Sequence, residues 1–209
     1  MTDSRPIESR PAWTADQLGI PELDPAMQAR ELVAPVTKWG TIARSAPMAG
    51  TYHFYTSDYK FSALLKHPMR LVDAGCSVAV EPNFSTWPGR PVAEVLADVC
   101  RKRAVAREWQ RAGVRILVDL GVAPEFRALN LLGVPPGWSA YAVRCHAGVD
   151  WAVIEADHAA ASAIAGGPPS PFVVFGGGKE AVDRCPAAGW IHVPEHRQVV
   201  EGRVAGGPR

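Results

Sequence analysis

The chain has 209 residues, 47% of them hydrophobic and 21% charged, which is the composition of a folded globular protein of one domain with appendages. Lys+Arg number 22 against 21 Asp+Glu, so the net charge of +1 excludes a generally basic nucleic-acid coat and an acidic tail protein, while leaving room for a local basic patch. The 19 Gly and 19 Pro predict many punctuated loops without reaching low-complexity disorder.

The start, MTDSRPIESRPAW, has no apolar core of the kind a secretory leader needs, and no apolar run approaches the ~18 residues of a membrane span. Cys76, Cys100, Cys145 and Cys185 are widely spaced, with no C-x-x-C pair, and read as reduced and mostly buried. A cytoplasmic protein without membrane contact is expected, in the host cytoplasm if the chain is phage-encoded.

Residues 1–47 lack a sustained hydrophobic period and read as a partly extended arm, with one short helix begun by Asp24 as N-cap and Pro25 at its first position. Residues 48–198 form the predicted domain, and 199–209 a flexible tail. Within the domain, apolar strand-like runs fall at 52–56, 77–80, 114–120, 140–145, 171–175 and 190–193. Helical runs fall at 60–74, 91–112, 124–132, 151–164 and 179–188. Continuous apolar strands alternating with helices predict an α/β fold: a mostly parallel sheet of about six βα units, covered on both faces. Six units fall short of a closed eight-stranded barrel, so an incomplete barrel and a doubly wound sheet both fit.

In parallel α/β folds ligands sit at the carboxyl ends of the strands, so the polar residues after each run carry the functional reading. These are Ser57, Asp58 and Tyr59; Glu81, Asn83 and Ser85; Asp119; His146; Gly176–Lys179; and Glu195 with His196. In FGGGK, three glycines end a strand and a helix begins at once. Gly176, Gly177 and Gly178 would offer backbone N–H groups, and Lys179 a full charge, to a phosphate. The spacing is not that of a Walker loop, and a plain tight turn is the competing reading.

The long helical run carries an apolar stripe through Val92, Val95, Leu96, Val99, Ala106 and Trp109. Arg103 interrupts it, with Gln110 on the same face. A guanidinium facing the interior requires a carboxylate or an anionic ligand, so Arg103 and Gln110 are ligand-positioning candidates, and a structural pair between helix and sheet is the alternative. Asp58, Glu81 and Asp119 are the strand-end acids available as partners, or as acid/base groups. Arg101, Lys102, Arg107 and Arg111 form an alternative basic face for nucleic-acid phosphates or a protein partner, or simply a solvated face. His192 and His196 are separated by Pro194 and cannot share a helix face, and no metal is expected. His53 alternates with Phe54 along its strand and reads as a core or helix-packed histidine. Seven tryptophans are mostly core candidates, one or two of which could stack a base.

The segments YHFYTSDYKF, EPNFSTWPGR, RKRAVAREWQRAG and PFVVFGGG resemble a bacterial and phage family catalogued only as a domain of unknown function. The resemblance covers roughly residues 39–180 and falls on Asp58, Tyr59, Phe61, Pro82, Phe84, Ser85, Arg101, Arg103, Trp109, Gln110 and Gly113. Ser57 and Asn83 stand where that family usually has acids, which argues against an acid-pair metal site. The resemblance implies phages, plasmids and their hosts; it implies no activity and no cofactor. From the residues, the expected function is the binding of a phosphate-bearing ligand, a nucleotide or a nucleic-acid end, at the strand carboxyl rim, with the reaction unassigned. A non-catalytic accessory protein binding DNA or protein through the basic helix, and a virion or assembly component, are the alternatives.

Overall fold

The computed structural model describes residues 15–40, 49–146, 148 and 150–195. The expected tail at 199–209, His196 and the first part of the arm lie outside the described residues. Seven strands form one sheet: β1 (Val36–Lys38), β2 (Gly50–His53), β3 (Cys76–Val80), β4 (Arg115–Asp119), β5 (Tyr141–Cys145), β6 (Phe172–Gly176) and β7 (Ile191–Val193). All neighbours are parallel and follow chain order. A doubly wound sheet needs a reversal of strand order, so of the two architectures that fit the sequence the protein adopts the incomplete barrel.

The curl is measurable. The rings of His53 on β2 and Phe175 on β6 lie 4.5 Å apart, centre to centre. Four strand spacings in a flat sheet would separate them by roughly 19 Å. Strand pairing puts Lys38, His53, Asp119, Arg144 and Phe175 on this concave side, and Tyr52, Ala79, Glu81, Ile116, Tyr141 and Val174 on the convex side. The helices cover the convex side. Trp109 stacks on Phe54 at 5.5 Å and donates its indole N–H to the Pro68 carbonyl at 2.9 Å. His158 meets Phe172 at 4.9 Å.

The helices are α1 (Ser62–Lys66), α2 (Met69–Asp73), α3 (Val92–Arg111), α4 (Arg127–Asn130), α5 (Trp151–Ala165) and α6 (Gly178–Ala187). The single helix expected over 60–74 is broken at His67-Pro68, where proline has no N–H and its ring displaces the preceding carbonyl. The run at 124–132 yields a 3-10 turn, Pro124–Phe126, and then only the four residues of α4. Asp150 caps α5 by accepting from the Ala152 N–H at 3.0 Å, and Gly166 ends it in the left-handed region.

The arm contributes the strand missed from sequence: residues 36–38 pair with β2. Upstream, Asp24 does cap a helical turn and Pro25 opens it, but the turn is a three-residue 3-10 piece. The arm then wedges between β4 and β5, where the Ala29 N–H reaches the Ile116 carbonyl at 2.9 Å and the Gln28 side-chain oxygen accepts from the Ser139 N–H at 2.9 Å. Ile20 packs with Val95, Val99, Ala123 and Phe126 in a small second core. Among the described residues, no helix is long and apolar enough to cross a membrane.

Candidate functional site at the strand carboxyl rim

Glu81 and Asp119 follow one another around the rim, on opposite faces of the sheet, and α3 supplies a cation to each. Arg103, fully buried, pairs with Glu81 and also donates to the backbone carbonyls of Asn130 at 2.5 Å and Leu132 at 2.9 Å. Lys102 reaches the Asp119 carboxylate at 3.4 Å and its carbonyl at 3.3 Å. The Asp119 N–H donates to Glu81 at 3.3 Å, Asn83 donates to the Asp119 carboxylate at 3.1 Å, and the Gly121 N–H does so at 3.0 Å. Burial pushes the Lys102 ammonium down, and Asp119 and Glu81 oppose that. Two acids and two bases therefore form a quartet that is almost wholly shielded from water.

This placement changes the roles expected of several residues. Lys102 does not lie on an exposed basic face: its side chain is 3% exposed. The other members of that face have partners: Arg101 with Asp98 at 3.1 Å, Arg107 with the Gln110 side chain at 3.0 Å, and Arg111 with Glu108 at 3.3 Å. Gln110 faces the arm rather than the rim, accepting from the Asp24 N–H at 2.9 Å and donating to the Asp24 carbonyl at 3.0 Å. Asp58 does not join Glu81 and Asp119. It accepts from the N–H and hydroxyl of Ser85, at 3.1 and 3.0 Å, and so staples the loop after β2 to the loop after β3.

The glycine turn stands at the other half of the rim, and Gly176, Gly177 and Gly178 all have positive φ. A Cβ at Gly176 would meet the Cys145 carbonyl at 2.6 Å, and one at Gly177 the Cys145 sulfur at 2.9 Å, so the crowded turn alone demands glycine there. Lys179 is exposed in the first turn of α6.

Sequence reasoning did not single out Lys38, Tyr55 and Arg144. With His53 they line the concave mouth beside the glycine turn. Tyr55 packs on Phe175 at 5.0 Å and on His53 at 5.5 Å. Arg144 lies 3.6 Å from the Glu195 carboxylate, and a Cβ on Gly176 would stand 3.3 Å from that same carboxylate oxygen. Burial, then Lys38, then Arg144 push the His53 imidazole down to about 3, so it is neutral. Burial and the charge of Asp119 push the Tyr55 phenol well up. Burial and Arg144 lower His146, against Glu195. An arginine one residue from the end of an apolar strand, as in AYAVRC, was the signal available for Arg144; Lys38 had none, because its strand is three residues long. Among the described residues, no three His, Cys, Asp or Glu side chains are grouped to hold a metal ion.

The fold is that of an all-parallel α/β half-barrel of seven strands, with charged residues gathered at the strand carboxyl ends. The chain belongs to the family described as a domain of unknown function, DUF4417, whose model matches residues 13–150. It is similar to the Gene 1 protein of Mycobacterium phage D29, with 33% identity over 96 residues, covering 44% of this chain and 36% of the phage protein. The chain thus spans about a third of that relative's length. No solved structure matches.

Proposed function

We propose that the domain binds a phosphate-bearing ligand, a nucleotide or a nucleic-acid end, at the carboxyl mouth of the half-barrel. Lys179 and the N–H groups of the Gly176–Gly178 turn receive the phosphate at the start of α6, and Arg144 faces it from β5. The observation that carries this reading is that an anionic group already lies in the seat: the Glu195 carboxylate, 3.6 Å from the Arg144 guanidinium and against Gly176. Glu81 and Asp119, paired with Arg103 and Lys102, hold the rim in shape in this reading instead of touching the ligand.

A thermal-melting panel of inorganic phosphate, sulfate, nucleoside monophosphates and a 5′-phosphorylated oligonucleotide tests it. A ligand at about 100 times its Kd stabilises by about 2.7 kcal/mol, which raises the melting temperature by several degrees. Lys179→Ala and Arg144→Ala should each weaken anion binding about tenfold or more. A panel that leaves the melting temperature unchanged overturns the reading.

A further inference from the structure

His53 ends β2, Lys38 ends β1 as its paired neighbour, and Arg144 is the penultimate residue of β5. All three face the concave side, and the curl closes the ring by setting His53 against Phe175, the residue before the glycine turn. One buried polar atom here has no hydrogen-bond partner, Nδ1 of His53, while the buried Tyr55 hydroxyl lies beside the Asp119 carboxylate. A buried polar group without a partner is destabilising, and a neutral imidazole beside Lys38 and Arg144 gains nothing from their charges. The arrangement becomes favourable once an anion enters, because the anion meets the Arg144 guanidinium and accepts a hydrogen bond from the ring.

We propose that His53 is a ligand contact, which takes up one proton as the anion enters and, once charged, with Arg144 selects a terminal, doubly charged phosphate over a phosphodiester. This rests on the reading that the mouth holds a phosphate-bearing ligand, and it assigns that ligand's recognised group. The charged and titratable groups around His53 are Lys38 from β1, Tyr55 from its own strand, Arg144 from β5, Asp119 beside Tyr55 from β4, and Glu195 beside Arg144 after β7. Of these, Glu195 is the acid the entering anion displaces. Before binding, His53 is neutral, held down to about 3 by its surroundings; an adjacent dianion raises its basicity into the physiological range.

Sulfate is the probe, because it keeps its double charge across the range used. Its affinity for the intact chain should rise as pH falls from about 8 to about 6, approaching tenfold per pH unit where one proton is taken up. The His53 imidazole resonance, identified by its loss in His53→Gln, should move to the protonated position on sulfate addition. His53→Gln should bind sulfate with a flat pH dependence. If that variant does not fold, selective labelling of the wild-type histidines reads the same resonance. Sulfate binding that depends on Lys179 but leaves the His53 resonance unmoved would sink this inference and leave the phosphate reading standing. Failure of sulfate and phosphate to bind the wild type at any pH in the range would remove both.

Discussion

Two charged groups share the carboxyl rim of this sheet, and they are built on opposite terms. Around β3 and β4, Glu81, Asp119, Lys102 and Arg103 match charge for charge and are at most 3% exposed. Around β1, β2 and β5, the concave mouth sets Lys38 and Arg144 about a histidine with an unpartnered nitrogen, and Glu195, half exposed, lies 3.6 Å from Arg144. Most polar atoms of the quartet have partners, with Glu81 Oε1 the exception, and none of its four side chains is open to water. In the mouth the buried His53 Nδ1 has no partner, and the Arg144–Glu195 pair beside it is half open to water. The difference between the two groups is one of exposure: the quartet is sealed in the sheet, and the Arg144–Glu195 pair lies where an external anion can reach it.

The largest expected effect tests the structural half of that contrast. Removing one member of a buried ion pair costs ~3–5 kcal/mol, because the other charge is stranded. Arg103→Ala should lose stability of that order in a urea titration, since Arg103 also holds the Asn130 and Leu132 carbonyls. Arg103→Met with Glu81→Leu should recover much of the loss, because no charge is then left without its mate. If Arg103→Ala melts like the wild type, the quartet is not the framework described here.

The mouth makes a different prediction, through pH. His53 is held neutral in the folded protein with its basicity lowered to about 3, whereas the unfolded chain binds the proton near the ordinary 6.5. Stability is therefore full above about pH 6.5 and is lost progressively as pH falls towards 3, by about 2 kcal/mol at about pH 5. Asp157 works in the opposite sense: burial pushes its carboxyl up to about 6 despite Arg127 at 2.6 Å. Its protonated form is the one the fold favours, so its contribution grows as pH drops through about 6. His53→Gln should flatten the acid limb of the stability profile, leaving the Asp157 trend exposed. An unchanged limb would mean that the mouth does not hold His53 neutral.

Much of the architecture was legible because the β-prone runs are continuous and the crossovers are bounded by Gly and Pro. Arg103 stood out as a guanidinium on an apolar stripe, and its need for a carboxylate follows from that alone. Which acid it meets did not, since Asp58, Glu81 and Asp119 all end strands, and only the register puts Glu81 on the helix side. The residues on which the sequence resemblance falls tie elements together: Asp58 to Ser85, Phe61 to Phe84 at 5.5 Å, Trp109 to Pro68, Gln110 to Asp24. The mouth was hidden for a physical reason. It depends on curvature that brings β2 against β6, and on a strand, β1, too short to leave a pattern. No periodicity in one segment reports that His53 and Phe175, more than a hundred residues apart, share a face.

The smallest effect sharpens the comparison most finely, because it asks whether Glu195 belongs to the framework or merely occupies the seat. Its side chain and that of Arg144 are 51% and 31% exposed, and exposed pairs contribute about 0–1 kcal/mol. Glu195→Gln should thus leave the melting temperature within a degree or two of the wild type, whereas Arg103→Ala should not. The same substitution removes the acid that competes with an entering anion. Sulfate affinity should rise by up to about fivefold, the equivalent of about 1 kcal/mol. The gain should vanish in the Arg144→Ala background, since the internal carboxylate and the external sulfate would no longer contend for one guanidinium. A gain that persists without Arg144 would mean that Glu195 acts only by long-range repulsion, and raising the salt concentration would then erase it.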